Sequence, residues 1–321
     1  MNQEQEKPPI ITRRILQGDV EAVFRLIGAL AEYEKLLPEC TGTLEALTEH
    51  LFQEDAFIEA VVAEEENYPA GISTFYCRYE PLKTRPIFFV EDIFVEPIYR
   101  RRGVGRALMS YLAQLALGRS CSRMEWLVLD WNTLARNFYQ NLQVVQILEH
   151  DRIARISGDA LKYLAGQSLP PLVIREALPE DLHALWELFE ARGGVTGSID
   201  KLEEHLFGFI PYVKALIAEN AGRPIGMALY SRTYSTFVTA PGVFLEELFV
   251  LPEYRGYGIG KSLLSTLAQR TLAMKGARLE LYVDISQPKV VNYYQKLGAA
   301  ILQEWLICRV DQPQIQKLAI N

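Results

Sequence analysis

Cysteine is scarce in this chain: four residues in 321, at Cys40, Cys77, Cys121 and Cys308. No CxxC pair and no cysteine–histidine spacing relates them, which argues against a disulfide framework and against a metal site; reduced, mostly buried thiols are expected. Long apolar runs are also missing. No stretch approaches the ~20 residues needed to span a bilayer, so no membrane association is expected. The polar, acidic start Met1-Asn2-Gln3-Glu4-Gln5-Glu6-Lys7 does not read as a secretory signal, and the expected location is cytoplasmic. Nor is there an excess of positive charge. The net charge is −7, so nothing global favours a nucleic-acid partner. With low-complexity tracts absent as well, what remains is globular composition, 49% apolar and 23% charged, in a chain long enough for two domains with separate cores.

What is present is a repeat. Phe-Val-x-Pro-x-Tyr-Arg-x-x-Gly-x-Gly occurs at residues 94–105 and again 155 residues later, at 249–260. The same offset relates Glu91 to Glu246, Tyr99 to Tyr254, Asn137 to Asn292, Tyr139 to Tyr294, Gly71 to Gly226, and His50-Leu51-Phe52 to His205-Leu206-Phe207. Across residues 91–114, 13 of 24 positions match their counterpart, far above chance. Nearer the N-terminus of each half the offset becomes 162, pairing Arg13 with Arg175 and Asp19 with Asp181, so a seven-residue insertion or deletion must lie between about 26 and 43. Repeats of this length are whole domains. The units are expected at 10–165 and 172–319, joined by the turn-rich connector Gly166-Gln167-Ser168-Leu169-Pro170-Pro171.

Within the first unit, 10–15 reads as a strand. Asp19 is a plausible N-cap for a helix burying Val23, Leu26, Ile27 and Leu30, and Thr43 opens a second helix. Strands follow over 57–64, 70–79 and 87–95. A Pro-x-Tyr turn then leads through Gly103 and Gly105 into a helix with Val104, Leu108, Tyr111, Leu112 and Leu115 at helical spacing. A strand over 124–129, a helix over 133–141 and closing strands within 144–156 complete the order β-α-α-β-β-β-α-β-α-β, an α/β unit with a mixed sheet flanked by helices.

A strand, then Arg-x-x-Gly-x-Gly, then a helix is a physical recipe for holding a pyrophosphate. Glycine lets the backbone approach, and the first-turn amides of the helix lack internal partners while its dipole favours an anion. Arg100-Arg101-Arg102-Gly103-Val104-Gly105-Arg106 and Arg255-Gly256-Tyr257-Gly258-Ile259-Gly260-Lys261 both supply countercharge. Two competitors fail. A Rossmann fingerprint needs a third glycine where Leu108 and Leu263 stand, and a P-loop needs glycine in place of Arg255.

This combination, followed by a strand and an Asn-x-Tyr helix, resembles the GNAT superfamily. The first half is similar to its spermidine/spermine and thialysine acetyltransferase group, through Ala31-Glu32-Tyr33-Glu34, Val90-Glu91-Asp92-Ile93-Phe94-Val95, Tyr99-Arg100-x-x-Gly103-x-Gly105, Cys121-Ser122-x-Met124, Asp130-Trp131-Asn132 and Asn137-Phe138-Tyr139. The second half matches the superfamily with fewer group-specific positions. The resemblance implies two tandem GNAT-like domains, each with a mixed, mostly antiparallel sheet flanked by helices. It also implies acetyl transfer from acetyl-CoA to a small cationic amine (a polyamine, a diamine or a lysine-like molecule) by direct attack. Members of the group act as homodimers, so the tandem is expected to fold as an intramolecular pseudo-dimer, leaving a monomer or weak homodimer.

By resemblance Tyr139, and Tyr294 in the second half, are general acids, while Glu91 and its counterpart Glu246 help deprotonate the amine. Glu91 also stands in an apolar strand, where a carboxylate is costly without a role or a partner. Backbone amides at Ile93-Phe94-Val95 and Leu248-Phe249-Val250 would polarise the thioester, and the two arginine–glycine loops would hold the pyrophosphate. Asn132 would contact the pantetheine arm; Gln287 replaces it in the second half. Tyr33, Glu34 and Asp92 would line the amine channel, and here the halves diverge, with Val195-Thr196 opposite Tyr33-Glu34 and Ser235 opposite Glu80. Two alternatives stay open. One is a tandem resembling mycothiol synthase, in which one half is catalytic and the other structural; the other is a non-catalytic CoA-responsive binding module.

Overall fold

The computed structural model describes residues 8–167 and 172–320; the polar start and connector residues 168–171 lie outside the described residues. The first half of the chain forms β1 (Ile10–Arg14), α1 (Val20–Tyr33), α2 (Leu44–Phe52), β2 (Glu59–Glu65), β3 (Tyr68–Glu80), β4 (Arg85–Val95), α3 (Val104–Gly118), β5 (Arg123–Leu129), α4 (Thr133–Asn141), β6 (Gln146–Leu148), β7 (Asp151–Ser157) and α5 (Gly158–Ala165). The second half repeats the series as β8 (Val173–Glu176), α6 (Leu182–Arg192), α7 (Ile199–Phe207), β9 (Lys214–Asn220), β10 (Arg223–Ser235), β11 (Ala240–Val250), α8 (Ile259–Ala273), β12 (Arg278–Asp284), α9 (Pro288–Lys296), β13 (Ala300–Ile301), β14 (Trp305–Asp311) and α10 (Gln312–Ile320). The expected order holds, with one helix added at the end of each half. Thr43 caps α2 by accepting from Ala46 N at 3.2 Å. Asp19 sits at the start of α1, but its carboxylate binds Leu16 N and Arg13 rather than helix amides.

Two seven-stranded sheets result, with strand orders β1-β2-β3-β4-β5-β14-β6 and β13-β7-β12-β11-β10-β9-β8. Each is antiparallel except where β4 meets β5 and β11 meets β12. Each sheet draws six of its seven strands from one half of the chain, and the two sheets trade their penultimate strands. β14 enters the first sheet between β5 and β6, and β7 enters the second between β12 and β13. Only two residues separate β6 from β7, a link short enough for a hairpin, yet it carries the chain from one sheet to the other. Register explains part of the choice. It sets Arg155 opposite Glu280 and Arg309 opposite Glu125, and both pairs close as ion pairs, at 2.7 and 2.8 Å. The terminal helices follow their strands: Ile315 and Leu318 of α10 join the core beneath α3, and Leu161 and Leu164 of α5 join the one beneath α8.

The halves interlock at a second level. Tyr234 of β10 is buried among α1 and α2 and hydrogen-bonds His50 Nδ1 at 3.0 Å, while Tyr79 of β3 is buried among α6 and α7 and meets His205 Nδ1 at 3.3 Å. Between the sheets lies a layer of buried charge. Arg78, 1% exposed, donates from Nε and Nη2 to Glu246 (3.1 and 3.0 Å) and from Nη1 to the Tyr282 hydroxyl (2.9 Å), with its guanidinium 3.2 Å from the Phe244 ring centre. The Tyr282 hydroxyl passes the chain on to Glu125 at 2.9 Å.

Among the described residues no helix is long and apolar enough to cross a membrane, and no cluster of three or more histidine, cysteine or acidic side chains could hold a metal ion. All four cysteines are free thiols.

Candidate active site

The site originates in the parting of two parallel strands. β4 pairs with β5 only over residues 87–90 against 123–126, although both strands run on to Val95 and Leu129. At the point of parting, the register between β3 and β4 slips so that Glu91 faces no single partner, a bulge that turns its side chain toward the opening. The second half repeats this, with pairing over 242–245 against 278–281 and a slip that leaves Glu246 unopposed. Beyond the bulge, Glu96 N bonds Ala70 O at 3.0 Å. Ladder alternation therefore points the amides of Ile93 and Val95 into the opening and keeps that of Phe94 within the sheet. Leu251 N on Ile225 O sets Leu248 and Val250 the same way, with Phe249 turned inward.

Below the opening lies the glycine loop. Gly103, at φ +108°, is the N-cap of α3, and the first helical amide bond is Ala107 N to Gly103 O, so the amides of Val104, Gly105 and Arg106 face outward. A Cβ on Gly105 would come within 3.3 Å of the Phe138 ring, which seats the helix start against α4. Arg100 donates its Nε to the Val95 carbonyl (3.0 Å) and lies over the Tyr33 ring, and Arg102 pairs with Glu65 (3.2 Å); among the described residues Arg101 and Arg106 form no ion pair, and both line the cavity with Arg100. In the second loop Gly256 and Gly258 both have positive φ, Ile259 and Gly260 open α8, Arg255 binds the Val250 carbonyl, Lys261 binds Gln167 Oε1, and Tyr257 is exposed. Outward amides, unpaired cations and an amide-edged cleft are a donor set fitted to a diphosphate bearing an extended amide chain.

One cavity of about 1290 Å³ joins this loop to an acidic wall. Tyr139 on α4 is 4% exposed and packs 5.1 Å from the Trp126 ring; burial, then Cys308 and Glu34, push its hydroxyl well above the ordinary tyrosine value, so it stays protonated and can donate. Glu91 accepts from the Tyr76 hydroxyl and from Arg278 Nη2, each at 2.9 Å. Asp92 accepts from Thr74 at 2.5 Å and among the described residues carries no ion pair; burial and then Glu91 push it up to about 7. Glu34, half-buried and without a cation among the described residues, is pushed up to about 8 by burial, then by Asp92 and Glu91. Asn132 caps α4 through Ala135 N and accepts from the Tyr33 hydroxyl at 3.2 Å, which ties the cavity wall to the acceptor side. The same carboxamide serves both, so its position is fixed by the fold.

The second half is built differently. Its cavity of about 330 Å³ is lined by Glu246, Glu247, Leu248, Tyr294 and Arg192. Glu246 is saturated by Arg78 and by Tyr79 N, and Arg192 Nε bonds Glu247 at 2.8 Å. The seven-residue offset becomes visible here: α1 has 14 residues where α6 has 11, and the linker to the next helix is longer after α1 than after α6. The extra length carries Tyr33 and Glu34 to the first cavity. In the second half Thr196 and Gly197 instead bond the Leu82 carbonyl, at 2.7 and 3.0 Å. Tyr294 keeps its place, 9% exposed, with its hydroxyl raised by burial. Gln287 opens α9 without capping it and binds Asp284 instead.

Sequence reasoning missed three groups in the first cavity. Trp126 places its buried indole against the Tyr139 ring; Arg278 holds Glu91; and Arg155, on the exchanged strand β7, lines the cavity beside Glu280. The paired carboxylates of the repeat could have suggested a cation such as Arg278, but nothing local marks which sheet β7 joins.

The model of the acetyltransferase (GNAT) family matches this chain twice, over residues 29–143 and 181–299. Thialysine N-epsilon-acetyltransferase of Bos taurus is 34% identical over 168 residues, covering 49% of this chain and 98% of that protein. L-ornithine N5-acetyltransferase NATA1 of Arabidopsis thaliana is 38% identical over 93 residues, 29% of this chain and 40% of that one. Among solved structures, a tandem GNAT protein from the clavulanic acid biosynthesis pathway superposes with a TM-score of 0.55 at 16% identity, covering 94% of this chain and 98% of its own. At that identity the likeness concerns the fold.

Proposed function

The chain belongs to the acetyltransferase (GNAT) family, and from that premise we propose that its first half moves an acetyl group from acetyl-CoA to the amino group of a small cationic amine. The observation that carries this reading is the shared cavity of about 1290 Å³, lined at once by the glycine loop, the parted strand β4, Tyr139 and the acids Glu34 and Asp92, neither of which has an ion-pair partner among the described residues. Relatives that act on thialysine and ornithine support the acceptor class. When bound, acetyl-CoA supplies the acyl group as an activated thioester.

The chain's own residues do the rest. The α3 amides with Arg101 and Arg106 hold the diphosphate, and the Ile93 and Val95 amides grip the amide arm and polarise the thioester carbonyl. A free alkylamine titrates near lysine, about 10.4, so it arrives as an ammonium and must shed a proton. Glu91, fixed by Tyr76 and Arg278, receives that proton through solvent. Tyr139 gives its hydroxyl proton to the departing sulfur and recovers one from solvent. Glu34 and Asp92 hold the acceptor's second cationic group.

The experiment is thiol release from acetyl-CoA over a panel of diamines, polyamines, diamino acids and monoamines. Turnover should concentrate on acceptors with a second charged group. Tight CoA binding with no turnover on any amine would make the protein a CoA-responsive binding module instead.

The raised acids give a pH signature. Below about 7 to 8 Glu34 and Asp92 spend much of their time neutral, and a dication gains its partners only as pH rises through that window. The acceptor KM should fall roughly tenfold from pH 6 to 8.5, and Glu34→Gln should flatten much of that slope. Initial rates with a diamine across this range check it; an unaltered slope in the variant would remove Glu34 from recognition.

The second half keeps a loop suited to CoA and a buried Tyr294, but Arg192 occupies its acidic position and no inserted turn widens its cavity. It is a CoA-binding sibling that does not share the first half's cationic acceptor.

A further inference from the structure

The acids of the first cavity account for a cation and the arginines of the glycine loop for a diphosphate, but a further base in that cavity has no assigned task. Arg155 lines it together with Glu280, Arg278 and Glu91. A chain of ion pairs places it: Glu91 to Arg278 at 2.9 Å, Arg278 to Glu280 at 2.9 Å, and Glu280 to Arg155 at 2.7 Å. Arg278 is buried, with Nη2 donating to Glu91 and to the Tyr234 carbonyl and Nε in ion-pair contact with Glu280. Arg155 is not. It donates to Glu280 through Nε alone, and among the described residues its two Nη groups have no protein partner. Its side chain is 26% exposed and lines the cavity. The pseudo-symmetric arginine, Arg309, turns both Nε and Nη2 onto Glu125 and does not line the smaller cavity. The two exchanged strands therefore differ at matched positions, and among the described residues the arginine of β7 presents an unused two-pronged donor to the larger cavity.

A guanidinium fork with parallel N–H groups matches a carboxylate. We propose that Arg155, brought to the first cavity on the exchanged strand β7, receives the carboxylate of the acceptor and is a specificity-determining residue that favours a diamino acid over the diamine of the same length. This inference rests on the reading of the first half as an amine acetyltransferase. It divides the labour of the cavity: Glu34 and Asp92 take the ammonium of the amino-acid head, Arg155 takes its carboxylate, and the side-chain amine is left to face Tyr139.

The test compares kcat/KM for matched pairs, L-lysine with cadaverine and L-ornithine with putrescine, adding L-lysinamide, which keeps both amines and loses the charge of the carboxylate. The wild-type protein should prefer the diamino acid of the better pair by about 10- to 100-fold, the range for a hydrogen bond to a charged group, and should discriminate against L-lysinamide similarly. Arg155→Gln should collapse that ratio toward one, and Arg155→Lys, which keeps charge without the fork, should fall between. A wild-type ratio near one, or a ratio that Arg155→Gln leaves unchanged while all rates drop together, would overturn the proposal and leave Arg155 as a brace for Glu280. If the wild type turns over none of these amines, the acetyltransferase reading fails. Calorimetric binding of L-lysine against cadaverine to the CoA-loaded protein and to its Arg155→Gln variant then decides the carboxylate site separately: preferential binding of L-lysine lost in the variant supports it, and equal binding overturns it.

Discussion

Replacing Tyr139 with phenylalanine should lower kcat for the acceptor amine by about 10²- to 10⁴-fold, the usual contribution of a positioned proton donor. The substitution removes one oxygen from a ring packed against Trp126 and Phe138 and leaves the packing intact. Burial keeps the Tyr139 hydroxyl protonated far above neutral pH, which makes it a donor throughout the working range. The KM for acetyl-CoA should move little, because the groups assigned to the diphosphate lie on the α3 loop. Tyr294→Phe should retain at least about half of wild-type turnover, since its cavity is small and its acidic neighbour Glu247 is neutralised by Arg192. Steady-state kinetics on the two variants check this. Equal losses would place chemistry in both halves, and a larger loss from Tyr294 would reverse the assignment.

Arg78→Ala should be the most damaging single substitution for stability, costing about 3–5 kcal/mol in denaturant unfolding, as expected when one partner of a buried ion pair is removed. Glu246 and Glu125, at 3% and 0% side-chain exposure, would be left facing one another across an empty site. The guanidinium also fills space against Phe244, so the loss includes packing. The charge layer should show in acid as well. Burial alone would raise Glu125, but Arg123, Arg78 and Arg309 outweigh it and hold the carboxyl down at about 2. Its folded value thus lies below its unfolded one, so its stabilisation is complete above about 4.5 and drains away as pH falls from there toward 2. Unfolding free energies at pH 7 and pH 3 check both statements: the variant should lose less on acidification than the wild type. A loss under about 1 kcal/mol at pH 7 would mean that the two acids find other partners.

The parts of this structure that could be read from sequence are those whose signal is local. The glycine loop, the helix after it and Tyr139 sit within 46 residues and recur at a fixed offset, and their spacing alone defines the elements that hold them. The seven-residue offset between the halves was visible as a number, but its meaning, an additional helical turn and a longer link that bring Tyr33 and Glu34 to the cavity, required the fold. The cost of a buried Glu91 was legible, whereas its partner Arg278 lies 187 residues away in another sheet. The exchange of β7 and β14 was not legible for a physical reason. Asp151-Arg152-Ile153-Ala154-Arg155-Ile156-Ser157 and Trp305-Leu306-Ile307-Cys308-Arg309-Val310-Asp311 carry the same burial pattern over their first six residues and an arginine at the same, fifth position. Either pattern suits either sheet, and Glu125 and Glu280 offer each arginine an equivalent partner.

That equivalence has a consequence for how such a protein can change. In a dimer of identical subunits every exchanged strand carries the same residues, so an alteration that reshapes one pocket reshapes its twin. Here each traded strand is encoded once and serves one sheet. A mutation in β7 reaches the large cavity and leaves β14 untouched, so the two halves can drift toward different tasks while remaining bound by the same interlock. Arg155 and Arg309, alike in position and unlike in what they leave unpaired, are the visible result of that freedom.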